Sequence, residues 1–130
     1  MKRILAGLAL ALLIAGPVMA APKVASGSLV ITSDLVGVAF GDAVTFSATT
    51  DNLKGYQYPL VYLACYQSGV LVYGQLDLPT ATFILGGGSS LWHQSPGPAD
   101  CSAKLYAYPG VHHNDPIILL DGPLTFAAAG

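Results

Sequence analysis

The sequence predicts an all-β protein, an antiparallel sandwich of seven short strands with one disulfide. Apolar and polar residues alternate with a period of two over several short runs, which is the pattern of half-buried strands. Nine prolines and fifteen glycines separate these runs, which is typical of a chain with many turns. The two cysteines, Cys65 and Cys101, each lie in one of the alternating runs, so they are natural partners.

The first 20 residues have the features of a secretory signal peptide. Lys2 and Arg3 form a basic start, residues 4–16 are apolar, and small or apolar residues lead to Ala20. This apolar run is shorter than the roughly 20 residues that a membrane-spanning helix requires. We therefore predict cleavage after Ala20, one mature domain over residues 21–130, and a secreted protein that has no membrane contact after cleavage.

Removing this leader leaves three lysines, no arginine and seven aspartates, a formal charge of −4. Nucleic acids and anionic membranes bind through clustered basic residues, so the charge argues against both as partners. The mature length suffices for one hydrophobic core. Because charged residues are few, we expect a surface rich in Ser, Thr, Gly, Tyr and apolar side chains.

The first strand covers residues 27–32, and residues 35–41 continue it as an edge that glycines interrupt. Residues 42–49 form the second strand, with alternate residues from Val44 to Ala48 facing inward. The segment 50–58 is a loop.

The third and sixth strands, residues 59–66 and 100–108, carry the cysteines. If they pair antiparallel with Cys65 opposite Cys101, one side of the pair is apolar and the other holds tyrosines and Lys104. Two cysteines in an exported chain most simply form one disulfide. Closing a loop of about 36 residues would stabilise the fold by about 4 kcal/mol.

Between these strands, Ser68-Gly69 favours a two-residue hairpin turn that leads into a fourth strand over residues 70–76. If Gln67 lies opposite Val70, Cys65 faces Val72 on the buried side, and Tyr73 lies on the outer side.

The fifth strand covers residues 81–85, and Trp92 in the following loop is expected to pack on the core. The seventh strand covers residues 117–127, where Asp121-Gly-Pro123 predicts a bulge or kink.

Over residues 26–127, seven strands with turns every eight to twelve residues resemble an immunoglobulin-like or fibronectin-III-like sandwich. The chain departs from antibody domains, because the second strand lacks cysteine, the third lacks tryptophan, and Ala99 stands where the tyrosine corner would be. The disulfide would therefore join neighbouring strands of one sheet. A Cys-Tyr-Gln-x-Gly hairpin at 65–69 and a Gly-Pro-Ala-x-Cys run at 97–101 resemble small exported proteins of actinobacteria and their phages, which implies no activity.

The first candidate binding surface is the outer side of the sheet that the third, fourth, sixth and seventh strands would form. Its residues are Tyr62, Tyr66, Tyr73, Lys104, Tyr106 and Tyr108. Tyrosine offers a rigid amphipathic surface that suits a protein partner or stacked sugar rings. The alternative is that tyrosine is here because it favours strands, and that this face is solvated or covered by the N-terminal segment. Tyr62 lies opposite Lys104 in this register, which predicts a cation–π pair.

The second candidate surface is the end of the sandwich where three loops meet. Its polar and aromatic residues are Asp51, Asn52, Tyr56, Tyr58, Asp77, His112, His113, Asn114 and Asp115. Adjacent histidines point apart in an extended segment, and no further spaced His or Cys completes a metal site. We therefore expect no metal and no other cofactor.

The sequence contains no Gly-x-Ser-x-Gly, His-Glu-x-x-His or phosphate-loop motif, and no glutamate. We therefore predict no catalytic residues and no enzymatic activity. The leading hypothesis is a secreted binding or interaction module for a protein or carbohydrate partner, acting through the tyrosine-rich face or the loop end. The alternative is structural, a self-assembling surface or virion-decoration subunit that forms homo-oligomers through an exposed sheet edge.

Overall fold

The computed structural model describes residues 24–53, 56–93, 97–110 and 116–130, and these residues form an all-β structure, as predicted. The strands, numbered in chain order, are β1 Ser26–Ile31, β2 Ala43–Val44, β3 Phe46–Asp51, β4 Tyr56–Gln67, β5 Val70–Asp77, β6 Phe83–Ile84, β7 Ala99–Pro109 and β8 Ile118–Ala128. A short 3-10 turn covers Leu91–His93. Within the described ranges, no helix has the length and hydropathy needed to cross a membrane.

The main sheet has four antiparallel strands in the order β5-β4-β7-β8. Cys65 lies opposite Cys101, and their sulfur atoms are bonded at 2.06 Å. The predicted pairing of the cysteine strands and the predicted disulfide between neighbours of one sheet are therefore confirmed. The apolar side of the main sheet is buried, as the alternation of residue types predicts. Its buried residues include Val61, Leu63, Cys65, Ala103 and Leu105.

Two smaller sheets supply the remaining strands. β1 pairs with β3, and β2 pairs with β6, both antiparallel. The predicted second strand is thus divided at Thr45, whose carbonyl accepts a 2.9 Å hydrogen bond from the Thr32 N–H. The inward alternation is confirmed at Val44 and Phe46, which are buried. The strand predicted over 81–85 is shorter, with only Phe83 and Ile84 paired.

The segment 35–41 makes one parallel β-bridge, between Ala39 and Ala129, the residue directly after β8. The Phe40 N–H donates to the Ala129 carbonyl, and the Ala129 N–H donates to the Val38 carbonyl, each at 2.9 Å. The first strand is tied to β8 as well, because the Leu29 N–H donates to Asp121 Oδ2 at 2.7 Å. These bonds hold the N-terminal part of the chain against the last strand of the main sheet.

One hydrophobic core joins the main sheet to the smaller sheets. Phe46 and Phe83 meet edge to face with ring centroids 5.2 Å apart, and Phe40 meets Trp92 in the same way at 5.5 Å. Trp92 is only 1% exposed, so it packs on the core as predicted.

The hairpin between β4 and β5 corrects one predicted site residue. Gln67 pairs with Val70 as expected, and Ser68 and Gly69 both have positive φ, at 50° and 79°. The register then shifts by one residue, so Cys65 faces Tyr73 and Val72 is the extra residue of a bulge. This shift turns Tyr73 to the buried side of the sheet, where it is 6% exposed. The predicted place of Tyr73 on the outer side was therefore wrong.

The predicted irregularity in the last strand is confirmed. The register between β7 and β8 shifts on both sides of Leu105, which pairs with Asp121. Gly122 has φ of 102° and is followed by a cis peptide bond to Pro123. A Cβ at Gly122 would lie 2.7 Å from the carbonyl oxygen of Ala103, so only glycine fits this backbone.

Candidate binding face

The outer side of the main sheet carries tyrosines and leucines from all four strands. We call it the Tyr face, and its residues are Tyr58, Leu60, Tyr62, Tyr66, Leu71, Leu76, Lys104, Tyr106, Tyr108 and Leu119. Successive side chains of a strand point to opposite sides, so burial of Val61, Leu63 and Cys65 turns the residues between them outward. The structure therefore brings together five of the six predicted face residues and adds Tyr58 and four leucines.

Five large side chains of the Tyr face are well exposed. Tyr58, Tyr66, Leu71, Leu76 and Leu119 each expose between 40% and 49% of their surface. They lie on β4, β5 and β8, so exposed apolar surface extends across the whole width of the sheet. Monomeric proteins rarely leave large apolar patches uncovered unless they bind something there.

Tyr62 has a different role from the one predicted. It pairs with Lys104 across β4 and β7, as expected. However, its hydroxyl oxygen lies 3.0 Å from the point where a Cβ on Gly74 would stand. Gly74 belongs to β5, on the other side of β4 from Lys104, so the ring leans away from the lysine. The predicted cation–π pair is therefore not formed, and the ring instead covers the bare backbone of Gly74.

Tyr106 and Tyr108 form an ordered aromatic pair on β7. Their ring centroids are 6.5 Å apart and the ring planes meet at 79°, the edge-to-face arrangement that aromatic quadrupoles favour. Tyr108 also lies opposite Tyr58, and Tyr106 lies opposite Leu60. Both rings are half-buried, so they form a preorganised part of the surface.

A shallow hollow of about 530 Å³ opens at the Tyr66 end of the face. Ser102, Thr125 and Ala127 form its floor, because only small side chains point outward from β7 and β8 here. Tyr66 forms one wall, and the exposed Asp100 lies beside it. The hollow is large enough for one large side chain of a partner.

Of the predicted loop-end residues, the structure describes Asp51, Asn52, Tyr56, Tyr58 and Asp77. Tyr56 and Tyr58 were expected in a loop, but both belong to β4, where they pair with Pro109 and Tyr108. The strand extends further than predicted because its first residues find partners at the end of β7. The Tyr56 hydroxyl donates to the Pro116 carbonyl at 3.2 Å. The predicted residues His112, His113, Asn114 and Asp115 lie outside the described residues.

The remaining loop-end residues have structural contacts. Asp51 is exposed at the end of β3, and Asn52 has a positive φ of 57° with its amide donating to the Val24 carbonyl at 3.5 Å. The Asp77 carboxylate accepts hydrogen bonds from Gln75 Nε2 and from the Leu78 N–H. Among the described residues, no group of three or more His, Cys, Asp or Glu side chains could hold a metal ion.

On the buried side, Tyr73 belongs to a polar chain at the β5 edge. Its hydroxyl donates to Gln75 Oε1 at 2.6 Å, and Gln75 Nε2 donates to Asp77 Oδ2 at 3.2 Å. Burial, with a smaller contribution from the Asp77 carboxylate, raises the pKa of Tyr73 to about 12. Tyr73 therefore stays protonated at physiological pH and acts as a hydrogen-bond donor within the fold.

Sequence reasoning places Leu71 on the outer side opposite Tyr66, as observed, but it missed Leu76. Leu71 and Leu76 lie on opposite sides of the bulge at Val72, so a strict alternation along β5 places them on different sides of the sheet. Only the extra residue brings both to the outer side. Leu119 was missed because the irregular register around Asp121 hides which residues of β8 face outward.

No protein-family model, no curated protein and no solved structure matches this chain. The resemblance to immunoglobulin-like domains and to exported actinobacterial or phage proteins therefore remains a prediction. The contacts and exposure of the described residues carry the functional argument.

Proposed function

We propose that the protein is a secreted, non-enzymatic binding module with an immunoglobulin-like sandwich fold, and that it binds a protein partner through the Tyr face. Secretion is supported by the predicted leader and by the Cys65–Cys101 disulfide, since such bonds persist in oxidising compartments. The sandwich is supported by the core that joins the main sheet to the smaller sheets.

The observation that carries the proposal is the exposure of Tyr58, Tyr66, Leu71, Leu76 and Leu119 on one side of one sheet. The cores of protein interfaces are enriched in tyrosine and depleted of charge. Within the described part of this face and its border, the charged side chains are Lys104 and Asp100. The Tyr face thus has the composition of an interface core.

The same composition favours a protein over a carbohydrate. Sugar rings carry many hydroxyl groups that must find hydrogen-bond partners when they leave water. The Tyr face offers tyrosine hydroxyls and the small polar groups of Ser102 and Thr125, but its larger part is leucine and aromatic carbon. A protein would instead cover the leucines and insert one anchoring side chain into the hollow beside Tyr66.

A photo-cross-linking experiment tests the proposal. Benzoylphenylalanine is placed at Tyr66 in one variant and at Val36 in another, because Val36 is 89% exposed and is not a residue of the Tyr face. Each variant is irradiated in the medium of the producing cells, and captured proteins are identified by mass spectrometry. We expect the Tyr66 probe to capture a protein that the Val36 probe does not. Identical captures from both positions would contradict the proposal.

Binding to the purified captured protein is then measured with substitutions on the face. Tyr66→Ser and Leu119→Ser should each weaken binding at least about tenfold, as expected for interface anchors, while Val36→Ser should leave it unchanged. Unchanged binding by both face variants would exclude the Tyr face. A glycan array with the same variants tests the other ligand class, and sugar binding that Tyr66→Ser abolishes would replace the protein partner by a carbohydrate.

The alternative function, a self-assembling surface or virion-decoration subunit, is favoured by one observation. Only 9% of the residues are charged, so copies repel one another weakly, while apolar side chains remain exposed. Sedimentation over a wide concentration range separates the two functions, since a subunit of this kind should form large assemblies and a binding module should not.

A further inference from the structure

We infer that the free edge of β5 pairs with the β5 edge of a second copy, antiparallel and through residues Tyr73–Asp77. This concerns the edge of the main sheet rather than the Tyr face. It is a closed two-fold dimer, distinct from the large assemblies of the alternative function, and it holds whether or not the Tyr face binds a partner.

The two edges of the main sheet differ in how they are protected. Natural edges are blocked by proline, lysine, bulges or covering segments. The β8 edge has the Asp121–Pro123 irregularity, the bond from Leu29 and the bridge from Ala39. The β5 edge has eight residues without proline or lysine, one charge at Asp77, and a bulge only near its start. In the described structure, β5 pairs with β4 alone.

The spacing of the cysteine pair shows which backbone groups face outward from β5. The Cα atoms of Cys65 and Cys101 are 4.0 Å apart, the short spacing of a non-hydrogen-bonded antiparallel pair. The N–H and C=O groups of Cys65 therefore point toward β5, where Tyr73 lies opposite.

Because these directions alternate along a strand, Tyr73, Gln75 and Asp77 direct their backbone groups toward β4. The backbone N–H and C=O groups of Gly74 and Leu76 therefore point away from the sheet. They form a short row of two donors and two acceptors at the edge.

This row is self-complementary about a two-fold axis through Gln75. Gly74 would pair with Leu76 of the second copy, and Leu76 with Gly74 of the second copy, which makes four backbone hydrogen bonds. Each Tyr73 would then lie opposite Asp77 of the other copy, and the two Asp77 carboxylates would lie at opposite ends of the contact. A parallel pairing would instead place these like charges side by side, which is unfavourable. Charge and hydrogen bonding therefore both select the antiparallel, two-fold arrangement.

A groove of about 440 Å³ runs along the edge at Leu71–Gln75. Leu91 and the turn that it begins lie near β5 in this groove, and Gly86, Gly87 and Ser89 form the rest of its wall. Such small residues permit close approach of another backbone. The bulge at Val72 twists the start of β5 and limits the pairing to the five residues Tyr73–Asp77. A contact of this length is smaller than the roughly 800 Å² per partner of a stable complex, so we expect a concentration-dependent dimer.

Sedimentation of the wild type and of Leu76→Pro tests the inference. Proline removes the one N–H at this position, which points outward, so the β4 ladder keeps its bonds. We expect the dimer of Leu76→Pro to be at least about tenfold weaker, because two of the four intermolecular bonds are lost. Leu76→Ala keeps the N–H and is the matched control, which should dimerise like the wild type within a few-fold. Thermal melting of each variant verifies that the monomer is folded.

The register is tested with Gln75→Cys, which places a thiol on the two-fold axis. A non-hydrogen-bonded pair has Cα atoms about 4.5 Å apart, within the range that a disulfide spans. On mild oxidation, Gln75→Cys should form a covalent dimer faster than Leu119→Cys, a control on the opposite edge. A wild type that stays monomeric at millimolar concentration, or equal oxidation rates for the two variants, would overturn the inference. A dimer weakened by Tyr66→Ser and not by Leu76→Pro would assign the contact to the Tyr face instead.

Discussion

Tyr73 shows how one inserted residue decides the environment of a side chain. The bulge at Val72 turns it into the core, where its hydroxyl donates to Gln75 at 2.6 Å. Alternation along a strand predicts sides correctly only while the register is regular. Nothing in the residues Val70 to Tyr73 marks the extra residue, because all of them are apolar or aromatic and fit either side. The outer place of Tyr73 was thus a reasonable inference from a regular hairpin.

The raised pKa of Tyr73 gives a stability test at alkaline pH. Burial raises this pKa from 10.0 to about 12, so the unfolded chain loses the proton first as pH rises. The stabilisation by the protonated hydroxyl should therefore be complete below pH 10 and be lost between pH 10 and about 12. Tyr73→Phe should lose less stability than the wild type over this interval. It should also unfold about 1 kcal/mol more easily at neutral pH, because Gln75 Oε1 loses its donor.

Urea unfolding at a series of pH values measures this difference. Tyr66→Phe is the matched control, because Tyr66 is 40% exposed and has the same chemistry. It should follow the wild type at every pH. If Tyr73→Phe and the wild type lose stability in parallel above pH 10, Tyr73 is not the buried donor that the structure places there.

At the scale of the strands, the sequence predicted the cysteine pair best. Residues 59–66 and 100–108 alternate without interruption, and a disulfide admits only one antiparallel register for two strands that carry one cysteine each. The observed pairs Cys65–Cys101 and Tyr62–Lys104 follow from that constraint. Where no disulfide fixes the pairing, the predicted bounds of the strands were wrong. Residues 42–49 were predicted as one strand, but they form β2 and β3, which pair with different strands. β4 begins at Tyr56, earlier than predicted, because its first residues pair with the end of β7.

The disulfide should contribute measurably to stability. It closes a loop of 36 residues, for which the chain-entropy model gives about 4 kcal/mol. The double variant Cys65→Ala with Cys101→Ala should unfold about 4–5 kcal/mol more easily, since both sulfurs also fill buried space. Urea unfolding of both proteins provides the measurement. Thiol labelling of the folded wild type should find no reactive cysteine, and rapid labelling of both would contradict the bond.

For the whole molecule, the sequence predicted only part of the Tyr face. Its tyrosines follow from the alternation of β4 and β7, which sequence reasoning identified. Leu76 depends on a bulge in β5, Leu119 on the irregular register of β8, and the hollow on small residues of β7 and β8 that meet only in the folded sheet. The contacts that hold the N-terminal part of the chain to β8 were also beyond prediction, because they join residues far apart in sequence through one side chain and one isolated bridge.

Asp121 is the side chain that makes this long-range connection. Its Oδ2 accepts from the Leu29 N–H at 2.7 Å, and its Oδ1 accepts from the Gly122 N–H at 2.8 Å. The first bond joins β1 to β8 across 92 residues of sequence, and the second fixes the turn before Pro123. One carboxylate thus stabilises both the packing of β1 on the main sheet and the irregular backbone of β8.

Replacing this carboxylate should therefore loosen the N-terminal strand before the main sheet. Asp121→Ala leaves two partly buried N–H groups without their charged acceptor, which should lower the free energy of unfolding by about 2–4 kcal/mol. Asp121→Asn keeps one acceptor oxygen and should lose less, and Asp100→Ala, an exposed carboxylate on β7, should change stability little. Hydrogen exchange locates the effect, since amides of β1 should lose protection in Asp121→Ala while those of β4 and β7 keep theirs. Uniform loss of protection across all strands would instead show that the connection between β1 and β8 is part of a single cooperative unit.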